Sequence, residues 1–262
     1  MKTVKFNVFP HGKNKAVTFS YDDGRSADYR LTELFDKYGA KCTFNLNSSF
    51  LGDGHHIDRV FARELAQRHE IACHTWAHPF ITKIPQVQFL KELLEDKKML
   101  EDIAGQPIVG MAYPFGQYTE AVKETLRAAG IEYCRTVDSI HTFDMPTDFL
   151  EWNPSCHHSD AAPLITRFNG DDWDNQQVLY IWGHSYEFDD HQSWDSMVRI
   201  LEELKDRDYW FATNLELHDY VTAVRRIRLS YENESAYNPS AISVYARVDG
   251  KVVEVKPGLT VF

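Results

Sequence analysis

The sequence predicts an α/β protein built as a closed or nearly closed barrel. Three observations carry this. Short apolar runs alternate with amphipathic helical patterns along most of the chain, which favours a parallel sheet with helices outside it. Seven such runs are too many for a compact open sheet to be the only choice, and a closed or nearly closed barrel fits them at least as well. The 262 residues, 43% of them hydrophobic, suffice for one large core of the size α/β barrels reach.

The seven strand candidates are AVTFSY (16–21), KCTFNL (41–46), EIACH (70–74), PIVGMAY (107–113), EYCRTV (132–137), QVLYIWG (177–183) and YWFAT (209–213). Between them, Leu31, Leu34, Phe35 and Tyr38 recur at helical spacing before Gly39, the position of a C-terminal glycine cap. Residues 87–105 repeat the pattern and end at Gly105. Residues 119–130 start at a Thr119 cap and end at Gly130, and a helix from Ser193 opens on a serine cap. After about residue 228 the pattern changes. AISVYARVDGKVVEV alternates apolar and polar positions around Asp249-Gly250, a two-residue hairpin signal. The expected organisation is therefore a barrel over residues 1–228 and a small β extension over 229–262, packed on it.

Charge and composition narrow the partners. A net charge of −11, from 39 acidic and 28 basic residues, argues against nucleic acid and against an anionic membrane surface. No apolar run approaches the roughly 20 residues of a membrane span. The first 17 residues hold no apolar signal-peptide core, so the expectation is a soluble, cytoplasmic chain. The four cysteines, Cys42, Cys73, Cys134 and Cys156, are far apart and read as buried free thiols. No feature of the sequence sets an oligomeric state.

The chemistry gathers where strand candidates end. TFSYDDG places Asp22 and Asp23 side by side. An acidic turn is one explanation; the other is a site in which one carboxylate binds a metal and its neighbour handles a proton. HTWAH puts His74 and His78 four residues apart. On a strand they would be roughly 13 Å apart. On a helical turn the separation falls to about 5–6 Å, close enough for one ion. HTWAH lacks the glutamate of the helical metalloproteases. Asp23 as a third ligand would complete a two-nitrogen, one-oxygen set with a position open to water, leaving Asp22 as general base. MAYPFG fixes the backbone at Pro114 and frees it at Gly116, offering the Phe115 N–H as an oxyanion donor. LYIWGHSYEF places His184 just past an apolar strand, where it could protonate a leaving amine. Trp182 and Tyr186 are candidate stacking surfaces for a sugar ring, with packing as the alternative.

These motifs resemble the polysaccharide deacetylases of the NodB-homology type, carbohydrate esterase family 4, over roughly residues 14–220. The family's T-F-D-D-G block is matched by Ser20-Tyr21-Asp22-Asp23-Gly24, its H-[ST]-x-x-H block by His74-Thr75-Trp76-Ala77-His78, and its R-x-P-[FY]-G block by Tyr113-Pro114-Phe115-Gly116. The resemblance implies an irregular (β/α)7 barrel. It also implies Asp22 as catalytic base, His184 as catalytic acid, Asp23, His74 and His78 as metal ligands, and the Tyr113-Pro114-Phe115 turn at the substrate. The implied cofactor is one divalent metal, zinc first, with cobalt, nickel or manganese also compatible. The implied activity is removal of an N-acyl group, acetyl foremost, from an amino sugar or its polymer. A small cyclic or heterocyclic amide substrate, and a non-catalytic carbohydrate-binding relative, stay open.

The sequence departs from the family pattern at two motifs. The arginine expected before the third block is Ala112, and Arg25 is the candidate replacement. The aspartate–tryptophan block has no clean counterpart: Trp152 is the nearest candidate and Asp172-Trp173 the second. His157 and His158 are candidates for the same rim, with a solvated loop as the alternative.

Overall fold

Alternation in the sequence becomes a single parallel sheet. The computed structural model describes residues 1–170 and 174–262, and the Asp172-Trp173 candidate lies outside them. Strand β1 is Val4–Lys5. The sheet comprises β2 (Lys15–Asp22), β3 (Cys42–Leu46), β4 (Glu70–Cys73), β5 (Gly110–Ala112), β6 (Tyr133–Arg135), β7 (Cys156–His157), β8 (Gln177–Gly183) and β9 (Trp210–Phe211). Its order is β6-β5-β4-β3-β2-β8-β7, with β9 beside the start of β2. Every pairing is parallel. Between β6 and β7 the gap is narrowed by residue 152: a bridge joins Arg135 to Trp152, and the Trp152 N–H donates to Cys134 O at 3.1 Å. The result is the irregular (β/α)7 barrel, with β7 and β9 as short pieces.

β2 is buried at all eight positions, as expected for a strand covered on both faces. The covering helices are α1 (Asp28–Tyr38), α2 (Arg59–Arg68), α3 (Gln86–Ala104), α4 (Glu120–Ala128), α5 (Ala161–Gly170), α6 (Tyr186–Asp190), α7 (Trp194–Leu204) and α8 (Asn214–Arg225). Gly39 and Gly105 end α1 and α3 in the left-handed conformation expected of them. Thr119 caps α4 through Val122 N, whereas the Ser193 side chain makes no cap bond to α7. All four cysteines are free and buried. Among the described residues, no helix is long and apolar enough to cross a membrane.

Beyond the barrel the chain is all β: β10 (Arg228–Leu229), β11 (Ser235–Asn238), β12 (Val244–Val248), β13 (Lys251–Val255) and β14 (Gly258–Val261). Asp249 and Gly250, both at positive φ, form the turn that pairs β12 with β13. Two three-stranded sheets result, β1-β12-β13 and β10-β11-β14. Val244, Ala246, Val248 and Val255 join Tyr220 of α8 in a second core cluster. The N-terminal strand is thus sewn to the C-terminal sheet.

Candidate metal centre and its surroundings

Asp22, the last residue of β2, is 2% exposed. Its Oδ1 accepts from Asn45 Nδ2 at 2.8 Å, and its Oδ2 accepts from an Arg135 amino group. Burial pushes this carboxyl up, but Arg135, His74 and His184 outweigh that push and hold it below its ordinary value. The Asp22 carboxyl is therefore ionised at neutral pH.

Asp23 follows in the left-handed conformation, φ 75°, which turns its side chain away from the strand direction. His74 leaves the end of β4, and its Nδ1 lies 2.8 Å from Ala112 O. A carbonyl only accepts, so Nδ1 carries the proton and the Nε2 lone pair faces the site. Thr75 and His78 are also left-handed, at φ 67° and 53°, curling the turn as a shared ion requires. His74 Nε2 and His78 Nε2 are 3.1 Å apart, and Asp23 Oδ1 lies 3.6 and 3.7 Å from them. Two ligands at 2.0–2.1 Å on a tetrahedral ion are separated by about 3.3 Å. The three atoms fit a divalent metal. Burial and His74 pull His78 down to about 4, so its imidazole is neutral at pH 7, as a ligand must be.

The missing arginine has a replacement, and it is not Arg25. Arg25 rests over the Tyr186 ring at 5.2 Å and bridges to His56. Arg135, fully buried, pairs with Asp22. In the β5–β6 register Ala112 stands directly opposite Arg135, so the guanidinium comes from the neighbouring strand at the same level. Trp182 packs against it, 4.5 Å from the guanidinium to the ring centroid, and meets the His157 and His184 rings edge-on.

His184, past the end of β8, is half-buried. Burial lowers its pKa, but Glu187 together with Asp22 and Asp23 more than offsets this, so the net shift is upward. Glu187, on α6, places Oε1 at 3.5 Å from His184 Nδ1 and Oε2 at 3.0 Å from His157 Nε2. His158 Nε2 lies 3.4 Å from the same Oε2. The two histidines are therefore not a solvated loop. The His158 ring is held between Tyr21 and Phe188, and a Cβ on Gly183 would come within 2.1 Å of it, which is why a glycine precedes His184.

Two further expectations are corrected. Trp152 is 2% exposed and packs against Tyr133, Phe149 and Tyr180; it is core, not a substrate wall. Tyr113 is buried, donates its hydroxyl to Leu150 O at 2.8 Å and stacks on Tyr118, so it faces inward. Pro114 is buried and begins the turn. Phe115, at φ 57°, is 46% exposed, stacks on Phe80 and meets His78 edge-on. Arg135 and Glu187 were not anticipated. A charged residue inside the apolar run EYCRTV was the available signal for the first.

Parts of the chain are similar to known proteins. Residues 10–134 match the polysaccharide deacetylase family model. The chain is 26% identical over 212 residues to a peptidoglycan-N-acetylglucosamine deacetylase of Bacillus cereus, covering 79% of this chain and 89% of that one. It is 31% identical over 117 residues to YxkH of Bacillus subtilis, but spans only 41% of that protein's length. The fold is similar to that of a family 4 acetyl xylan esterase from Clostridium thermocellum solved with a cobalt ion: TM-score 0.56, 19% identity, 77% of this chain and 89% of that one. Residues 10–134, just under half of the chain, are thus similar to the polysaccharide deacetylase family.

Proposed function

We propose that this chain is a divalent-metal-dependent hydrolase that removes an N-acyl group, acetyl foremost, from an amino sugar or its oligomer. The observation that carries the reading is the juxtaposition of an ionised, arginine-held Asp22 with a two-imidazole, one-carboxylate set at ligand spacing.

Asp23, His74 and His78 would hold the ion, which when bound supplies Lewis-acid polarisation and an acidified water. Asp22 accepts the proton of the attacking water. Arg135 and Asn45 orient the carboxylate for this by bonding one oxygen each. The Phe115 N–H, on its rigid turn, is assigned to the developing oxyanion. His184, with Nδ1 facing Glu187, presents Nε2 to the leaving amine and gives it a proton.

Acetate release from N-acetylglucosamine oligomers, run beside a panel of small cyclic amides, tests this. Turnover on the oligomers is expected. Asp22→Asn is expected to lose at least about 100-fold in kcat while keeping its metal, and His74→Ala to lose both. Near-full activity in the Asp22→Asn enzyme contradicts the mechanism. Turnover of cyclic amides alone contradicts the substrate class.

A further inference from the structure

The turn that carries both metal-binding histidines is moulded from outside, by α3. Its backbone is in an unfavourable shape, with Thr75 and His78 both left-handed and neither a glycine. Such a turn persists only where its surroundings specify it. From one side, Asn47 Nδ2 donates to His74 O at 2.5 Å and to Thr75 O at 2.8 Å, and Ser49 N–H donates to Trp76 O at 3.2 Å. From the other side come three contacts with α3. His74 N–H donates to Asp96 Oδ2 at 3.0 Å, Trp76 N–H to Glu92 O at 3.1 Å, and Ala77 N–H to Glu92 Oε2 at 2.9 Å. Glu92 and Asp96 are one helical turn apart, so one face of α3 reaches the turn at residues 74, 76 and 77.

We propose that Asp96 is a positioning residue for the metal centre, with Glu92 as its auxiliary, and that α3 presets the ligand geometry before any metal arrives. Asp96 is fully buried. Besides the His74 N–H, its Oδ1 accepts Ser48 N–H at 2.9 Å and Ser48 Oγ–H at 2.6 Å. Three donors from two loops thus converge on one carboxylate. A carboxylate offers only acceptors. An asparagine there would turn an NH2 towards one of these donors, leaving either a Ser48 group unpaired in a dry interior or the His74 N–H with Leu46 O at 3.1 Å alone, which frees it from α3. The aspartate joins the loops after β3 and β4 to a single helix, and so sets where His74 points. This inference rests on Asp23, His74 and His78 being the metal set.

The test is zinc affinity of the apo chain, measured by competition with a chelating dye, alongside thermal melting. Asp96→Asn is expected to weaken zinc binding by about 10–100-fold, the usual effect of removing a group that orients a ligand. Glu92→Ala, at a half-buried position, is expected to weaken it by a smaller factor. Leu100→Ala, buried on the same helix, serves as the stability control. It should lower the melting temperature yet leave the zinc Kd within about twofold of wild type. Equal affinities for wild type and Asp96→Asn overturn the proposal, as does a Leu100→Ala chain weakened as much as Asp96→Asn. A wild-type chain that takes up no zinc overturns the metal assignment itself, which is a different result.

Discussion

Arg135→Met removes a buried charge while keeping a side chain of similar length. In the wild type the guanidinium bonds Asp22 Oδ2, donates to Thr136 O at 2.9 Å and packs on Trp182. Without it, Asp22 retains one direct neutral side-chain donor, Asn45 at 2.8 Å, in an environment where burial is the largest influence and acts upward. Leaving a buried partner charged and alone costs about 3–5 kcal/mol, so the carboxyl takes up a proton instead. An adjacent arginine lowers an aspartate by about 1–3 units, and its loss should raise Asp22 by the same amount. A base works only when ionised, so the acidic limb of kcat/KM must move to higher pH by about 1–3 units. At a pH inside the shifted limb this is about a 10–1000-fold loss, recovered as pH rises. The assay is acetate release from N-acetylglucosamine oligomers between pH 4 and 9, with Arg25→Met as comparison. An Arg135→Met profile lying on the wild-type limb refutes the reasoning, and so does an Arg25→Met profile that shifts.

Two further predictions concern titration. Glu187→Gln removes the group that most strongly raises His184; burial then pulls the imidazole down, the acid loses its proton earlier, and the basic limb should move to lower pH with KM little changed. An unmoved basic limb rejects that role for Glu187. Asp28 is fully buried. Burial raises it to about 8, against a downward pull from Ser185. Folded Asp28 keeps its proton while the unfolded chain releases it between pH 4 and 8. Stability contributed by this group should therefore fall across that window, by several kcal/mol. Asp28→Asn should flatten the dependence in urea melts at pH 5 and pH 8; equal slopes for the two proteins speak against it.

What could be read from the sequence was local. Asp22, Asp23, His74, His78 and His184 are marked by their positions at strand ends, because a parallel barrel exposes polar groups there and buries the strand interiors. The glycine stops of α1 and α3 and the Asp249-Gly250 turn were equally visible, since each depends on one residue's backbone freedom. What escaped depends on register and packing. That Arg135 faces Asp22 follows from the pairing of β6 with β5, which no local pattern encodes. Trp152 and Tyr113 look like site aromatics in a string of letters, yet their neighbours cover them. Glu187 is three residues beyond His184, and only the start of α6 folds it back onto the imidazole.

X-ray absorption spectroscopy of the zinc-loaded chain addresses the metal assignment most directly. One zinc per chain is predicted, with two imidazole nitrogens and carboxylate oxygen at about 2.0–2.2 Å, and with that signature lost in both His78→Ala and Asp23→Ala. A signature unchanged in those two variants, or a shell without imidazole, contradicts the assignment.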